Sequence, residues 1–220
     1  MKKIVVKKEY LPSIKNDKRF INAIQLGRIL GAIRYNKILH AEISKDKEAN
    51  TSLQLHLLLN HAALVYEGIT TFKKTKSNFE NLDYYKKNLD KVEIILDEAK
   101  NKKSFTNKVL KKIRNKIAFH FDEDVTKEIL GRIVDDSLKE RTDVVLISGK
   151  SERIKDITYL LADNVNINYV LILINGKGIS EREKFKILSK NLLELSGLFC
   201  ETLDVLIPDL IEDYCVLKEE

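Results

Sequence analysis

Apolar residues recur every three or four positions along most of this chain, and little interrupts them. A first long helix is predicted from about residue 17 to about residue 44, with Phe20, Ile24, Ile29, Ile33 and Ile38 at helical spacing. Gly27 and Gly31, four apart on one face, would let another helix approach closely. Lys45 to Asn50 is polar and reads as a loop. Thr51 or Ser52 then caps a second helix reaching about Phe72 through Leu53, Leu57, Ala63, Leu64 and Tyr66. Lys73 to Asn78 reads as a basic loop. A more polar third helix spans about residues 80–100, a fourth about 104–119 and a shorter fifth about 125–138.

The last third carries two readings. Val144-Val145-Leu146-Ile147 and Ile167 to Ile174 are short apolar runs with a helical stretch between them. They form either a small β-α-β element over residues 143–174 or a broken helix leading into another, and the helical reading is preferred. A final helix follows from about Ser180 to Leu206, with a helical tail. Residues 1–16 read as an extended arm ending near Pro12. The organisation is thus an arm (1–16), a helical bundle (17–140) and a helical extension packed on it (141–220). The fold class is all-α, with α+β as the alternative.

Composition agrees. Only 8 Gly and 2 Pro occur in 220 residues, so long stretches lack helix breakers. Charged residues make up 33% and the net charge is +6. That excess is compatible with a polyanionic partner, and its placement is more informative than its size. Between Asn101 and His120 there are seven lysines and arginines and no acid, and then Asp122, Glu123 and Asp124 follow at once. Cys200 and Cys215 match neither metal-ligand spacing nor a redox pair, and read as apolar residues in a reducing compartment. The longest apolar run, Tyr169 to Ile174, is far below the ~20 residues needed to span a bilayer. The start of the chain lacks a secretory pattern. These features predict a cytoplasmic protein with no membrane partner.

The candidate chemistry lies late in the fourth helix, in Ile113-Arg114-Asn115-Lys116-Ile117-Ala118-Phe119-His120. Arginine can hold a phosphate bidentately, and histidine can move a proton near neutral pH. On a wheel of about 100° per residue, Val109, Ile113, Ile117, Leu110 and Phe121 form one apolar arc. His120 falls inside that arc and Arg114 on its edge. Both groups therefore face whatever the helix packs on, with Lys111, Lys112 and Lys116 flanking them. Such a pair also suits a purely structural role, as a core histidine and an arginine salt bridge at a helix C-terminus. Glu67, in Tyr66-Glu67-Gly68 of the second helix, is a candidate acidic partner for Arg114.

The segment Arg114-Asn115-Lys116-Ile117-Ala118-Phe119-His120 resembles the signature of the HEPN superfamily. That signature is an arginine, a polar residue that is often asparagine, and a histidine four to six residues beyond the arginine. The long helices around the motif are similar too, over residues 17–140. The resemblance implies a bundle that dimerises through the motif-bearing helices, so that two arginine–histidine pairs share a cleft. It also implies metal-independent endoribonuclease chemistry without a cofactor, in defence or stress response. A ribose 2′-hydroxyl would attack the neighbouring phosphate and leave a cyclic phosphate. In that scheme His120 is the general acid or base, Arg114 binds the scissile phosphate, and Asn115 orients one of them. Lys111, Lys112 and Lys116 attract the backbone of single-stranded RNA. Some members keep the bundle without demonstrated catalysis, so a non-catalytic binding or scaffold dimer is the alternative. One branch carries a regulatory tyrosine two residues after the histidine; here that position is Asp122. The sequence names no antitoxin or partner protein.

Two further features carry no chemistry. Gly149-Lys150-Ser151 resembles the end of a phosphate-binding loop, but the required first glycine is Val144. His56 and His61 point about 140° apart on a helix and cannot share a metal as an i, i+4 pair can. With His40 they read as structural residues.

Overall fold

The computed structural model describes residues 2–45, 51–118, 123–140, 160–174 and 178–219. Among these, the chain is an all-α multi-helix bundle with one small two-stranded sheet. Its helices are α1 (Lys18–Lys45), α2 (Thr51–Thr75), α3 (Asp83–Lys87) and α4 (Leu89–Lys100). Helix α5 is composite: a π-helical turn (Thr106–Leu110), a short α segment (Lys111–Ile113) and a second π-helical turn (Arg114–Ala118). Then follow α6 (Glu123–Glu140), α7 (Leu160–Leu173) and α8 (Glu181–Ile211). Strands β1 (Lys2–Val6) and β2 (Cys215–Glu219) pair antiparallel, with Lys2 opposite Glu219 and Val6 opposite Cys215.

Helix α2 is the central element and touches α1, α4, α5, α7 and α8. That position explains its sequence. It is apolar on most sides, so its pattern did not reveal which face points inward. The buried stripe is Leu55, Leu59, Ala62, Val65, Ile69 and Phe72, whereas Leu53 is exposed. Helix α1 shows the same shift. Ala23, Leu26, Leu30 and Ile33 are buried, while Ile24 and Ile38 face outward. Helix α8 buries Leu188, Leu192, Leu195, Phe199, Leu203, Leu206 and Leu210, one stripe at helical spacing. It starts at a capping box: the Glu183 N–H donates to Ser180 Oγ at 3.3 Å, and the Ser180 N–H donates to the Glu183 carboxylate.

The expected close helix approach does not use Gly27 and Gly31. A Cβ on either would meet nothing within 4 Å. It uses Gly68, where an added Cβ would lie 2.5 Å from the Phe199 ring and 3.0 Å from Ile29 Cγ2. Phe199 stands edge-on to Phe72 at 6.0 Å, and Phe72 stacks on Phe79 at 4.5 Å. Helices α1, α2 and α8 therefore meet over one glycine.

Several boundaries differ from the sequence reading for local reasons. Helix α2 runs through the expected basic loop to Thr75, whose hydroxyl donates to the Thr71 carbonyl at 3.0 Å. The third helix is broken between α3 and α4 at Asn88. Its side chain donates to the Tyr84 carbonyl at 3.1 Å, a local bond that competes with helix continuation. Helix α8 continues past Leu206 through Pro208 because Leu206 and Leu210 are both buried, and core packing outweighs the hydrogen bond proline removes. Ile167 to Leu173 is helical, as preferred; Val144–Ile147 and Gly149–Ser151 lie outside the described residues.

The helical tail expected after α8 is instead a 3₁₀ turn (Glu212–Tyr214) followed by β2. The partner strand lies at the other end of the chain, so no local pattern announces it. The same corner fixes the start of α1. Asp17 Oδ1 accepts from the Phe20 N–H at 3.0 Å, and Asp17 Oδ2 accepts from the Tyr214 hydroxyl at 2.9 Å. The Phe20 N–H is the main reason the Asp17 carboxyl is held below its ordinary range. Arg19 adds an ion pair to Asp213 at 3.1 Å. Asp17→Ala should cost about 1 kcal/mol by losing the cap. Urea unfolding reads the loss, and Asp17→Ser, which can still cap, should recover most of it.

Candidate functional site

Helix α5 begins at a corner tied by side chains. Ser104 Oγ accepts from the Asn107 N–H at 3.1 Å and donates to the Glu98 carbonyl at 2.8 Å. The Glu98 carboxylate accepts from the Thr106 N–H at 2.9 Å, so the end of α4 holds the first turn of α5. From there Val109, Leu110, Ile113 and Ile117 are buried against the bundle. This is the apolar arc read from the sequence. The two π-helical turns widen the helix, because their hydrogen bonds reach five residues rather than four. Each residue therefore turns through less than the 100° assumed on an α-helical wheel.

Arg114 opens the second π-helical turn and faces α2. Its Nε donates to Glu67 Oε1 at 2.5 Å, and one terminal nitrogen donates to Asn115 Oδ1 at 3.1 Å. The Arg114 and Glu67 side chains are 31% and 36% exposed, so solvent reaches the pair at the edge of the α2–α5 contact. Glu67 is thus the acid that meets Arg114, and Gly68 beside it fixes where α2 can sit. Lys111 and Lys112 are exposed and Lys116 is half-buried. His120, Phe119, Phe121 and Asp122 lie outside the described residues. Glu123 pairs with Lys127 at 2.6 Å on the exposed side of α6.

The other histidines have separate surroundings. His61 is buried and its Nε2 lies 3.0 Å from Ser196 Oγ of α8. Burial is the first cause that pushes its pKa down to about 4, with the neighbouring Lys37 and His40 adding to it. His56 Nε2 lies 3.4 Å from Oδ1 of the buried Asp163 on α7. The two point at different helices, as their spacing required. Sequence reasoning missed Asp163, because an isolated acid on a helix reads as solvated. Among the described residues no three His, Cys, Asp or Glu side chains gather as metal ligands. Nor is any helix there long and apolar enough to cross a membrane.

In comparisons with known proteins, no family model, curated protein or solved structure matches this chain.

Proposed function

We propose that this chain is a metal-independent endoribonuclease of HEPN type that works as a cytoplasmic homodimer on single-stranded RNA. The observation that carries the reading is the setting of Arg114. Glu67 and Asn115 orient its guanidinium, and the side chain stays partly open to solvent. Arginine carries five donors in a planar fork, a geometry that suits a phosphate. A cation fixed in advance needs no rearrangement as charge develops on the phosphate, which favours the transition state over the bound substrate. The exposed Lys111 and Lys112 supply sequence-independent attraction on the same helix. His120 lies two residues beyond Ala118 in the sequence and is assigned the proton transfers.

The Arg114–Glu67 ion pair also favours a second reading, a non-catalytic bundle module in which the pair braces α5 against α2. The two readings separate in one assay. The purified protein should cleave single-stranded RNA in EDTA and leave a cyclic phosphate end, detected by mass spectrometry. DNA, lacking the 2′-hydroxyl, should be untouched. His120→Ala and Arg114→Ala should each lower the rate by about 10²-fold or more while the circular dichroism spectrum is kept. If the wild type leaves every RNA intact and Arg114→Ala only lowers the melting temperature, the brace reading stands.

A further inference from the structure

Two basic segments far apart in the sequence meet at one corner of the bundle. Residues 68–79, around the end of α2, hold Lys73, Lys74 and Lys76. Residues 99–118, from the end of α4 through α5, hold seven lysines and Arg114. Neither segment contains an acid, in a chain with 33 Asp and Glu among 220 residues. The fold ties them together. Lys73 Nζ donates to the Ala99 carbonyl at 3.3 Å, and the Asn107 carboxamide donates to the same oxygen at 3.4 Å. Asn107 also donates to the Asn101 carbonyl at 2.9 Å and the Glu98 carbonyl at 3.2 Å. The Lys103 N–H donates to Asn101 Oδ1 at 2.8 Å. These bonds hold the turn between α4 and α5 against the last turn of α2.

The charge gathered there is not neutralised by the fold. Lys74, Lys102, Lys103 and Lys108 are exposed, and none of them forms an ion pair with a described residue. Lys73 meets a neutral carbonyl. Glu80 pairs with Lys76 at 3.4 Å, and the Glu98 carboxylate accepts from the Thr106 N–H. Asp97, on the last turn of α4, is the exposed acid nearby in sequence. Like charges held together without counter-charges cost the folded state stability and raise the local concentration of anions.

We propose that this corner receives the phosphate backbone of single-stranded RNA, which then follows α5 to Arg114. The lysines run in file along one helix, from Lys103 through Lys108 and Lys111 to Arg114, over roughly 15 Å of helical rise. A linear array suits a linear polyanion. A membrane-binding surface would gain from apolar side chains beside its lysines, and residues 100–104 contain none. The path to Arg114 rests on the nuclease reading, whereas the binding does not.

Fluorescence anisotropy tests this, with a labelled oligouridylate of about 12 nucleotides, within the site sizes of single-strand grooves. The full chain carries His120→Ala, so that the probe stays intact. Binding should saturate at about 50 mM salt and weaken with a log–log slope of about −2 to −4, as three to five phosphate contacts require. Lys102→Gln with Lys103→Gln and Lys108→Gln should weaken it about tenfold or more and flatten the slope by about 2. Lys73→Gln with Lys74→Gln should flatten it by about 1. Lys184→Gln with Lys186→Gln and Lys190→Gln, at the start of α8, removes as much charge elsewhere and should leave binding unchanged. The surface is overturned if the oligonucleotide does not saturate, if the α8 variant loses as much as the corner variant, or if the α2 pair has no effect. It is equally overturned if phosphatidylserine vesicles hold the chain through the same lysines more tightly than the oligonucleotide does. With His120 restored, the corner variant should raise KM about tenfold and keep kcat. Binding without any cleavage removes the nuclease reading and leaves the surface. Cleavage with an unchanged KM in the corner variant removes the surface and leaves the nuclease.

Discussion

Gly68→Ala is expected to destabilise the protein by about 1–3 kcal/mol, although alanine is the better helix former. In an exposed helix the same change would help. Here the new methyl would sit 2.5 Å from Phe199 Cε1 and 2.8 Å from its Cζ, well inside contact distance. The ring has little room to retreat. Phe199 is fully buried and packs edge-on against Phe72, which is itself stacked on Phe79. Something must shift, and the easiest shift is a separation of α2 from α8. For a chain of this size the loss corresponds to roughly 2–12 °C in Tm. The pairing is testable directly: Gly68→Ala with Phe199→Leu should be less destabilised than the sum of the two single changes, because the smaller side chain vacates the clash. Simple additivity would refute the close approach. Glu67 precedes Gly68 on the same turn, so Gly68→Ala should also disturb the Arg114 ion pair and, on the nuclease reading, the rate of cleavage.

Acid should weaken the fold through His61. Its pKa is about 4 in the folded protein and about 6.5 in the unfolded chain. Above pH 6.5 both states hold the neutral ring, and His61 adds no pH dependence. Between pH 6.5 and 4 the unfolded chain takes up a proton that the folded protein refuses. Stability therefore falls as pH falls, and the effect levels off below pH 4. The total is about 3 kcal/mol, of which about 2 kcal/mol is lost by pH 5. Urea unfolding from pH 7.5 to 4.5 measures it. Carboxylates contribute to the same limb, so the informative quantity is the difference from His61→Gln, which can keep a bond to Ser196 without taking a proton. That variant should show a shallower acid limb, and an unchanged limb would mean that His61 is not held neutral by the fold.

Much of the helical architecture is legible in the sequence because helix formation is encoded locally. The near absence of proline and glycine and the period of the apolar residues give α1, α2 and α8 to within a few residues. The sequence places the start of α8 at about Ser180, which the structure shows to be its N-cap. What the period leaves open is orientation. In α1 and α2 apolar residues occupy more than one face, so Leu26, Leu30 and Ile33 could not be separated from Ile24 and Ile38 without knowing where the neighbouring helices lie. The same holds for the glycines. Gly27 and Gly31 have the spacing that attracts notice, but Gly68 has the neighbour.

The candidate site divides along the same line. The arginine–asparagine–histidine spacing, its lysine-rich helix and Glu67 as a partner for Arg114 are all present in the sequence. The bond from Arg114 to Glu67 joins residues 47 positions apart, and only the packing of α5 on α2 makes it. The β1–β2 pair is the limiting case: its strands stand at opposite ends of the chain, and each alone is five residues without a fold. Sequence by itself placed the long helices and the basic helix with its motif, and offered Arg114 and His120 as candidates for chemistry. Tertiary structure decided which faces are buried, which glycine lies against a neighbouring helix, and which distant acid meets Arg114, because those depend on residues distant in sequence meeting in a common volume.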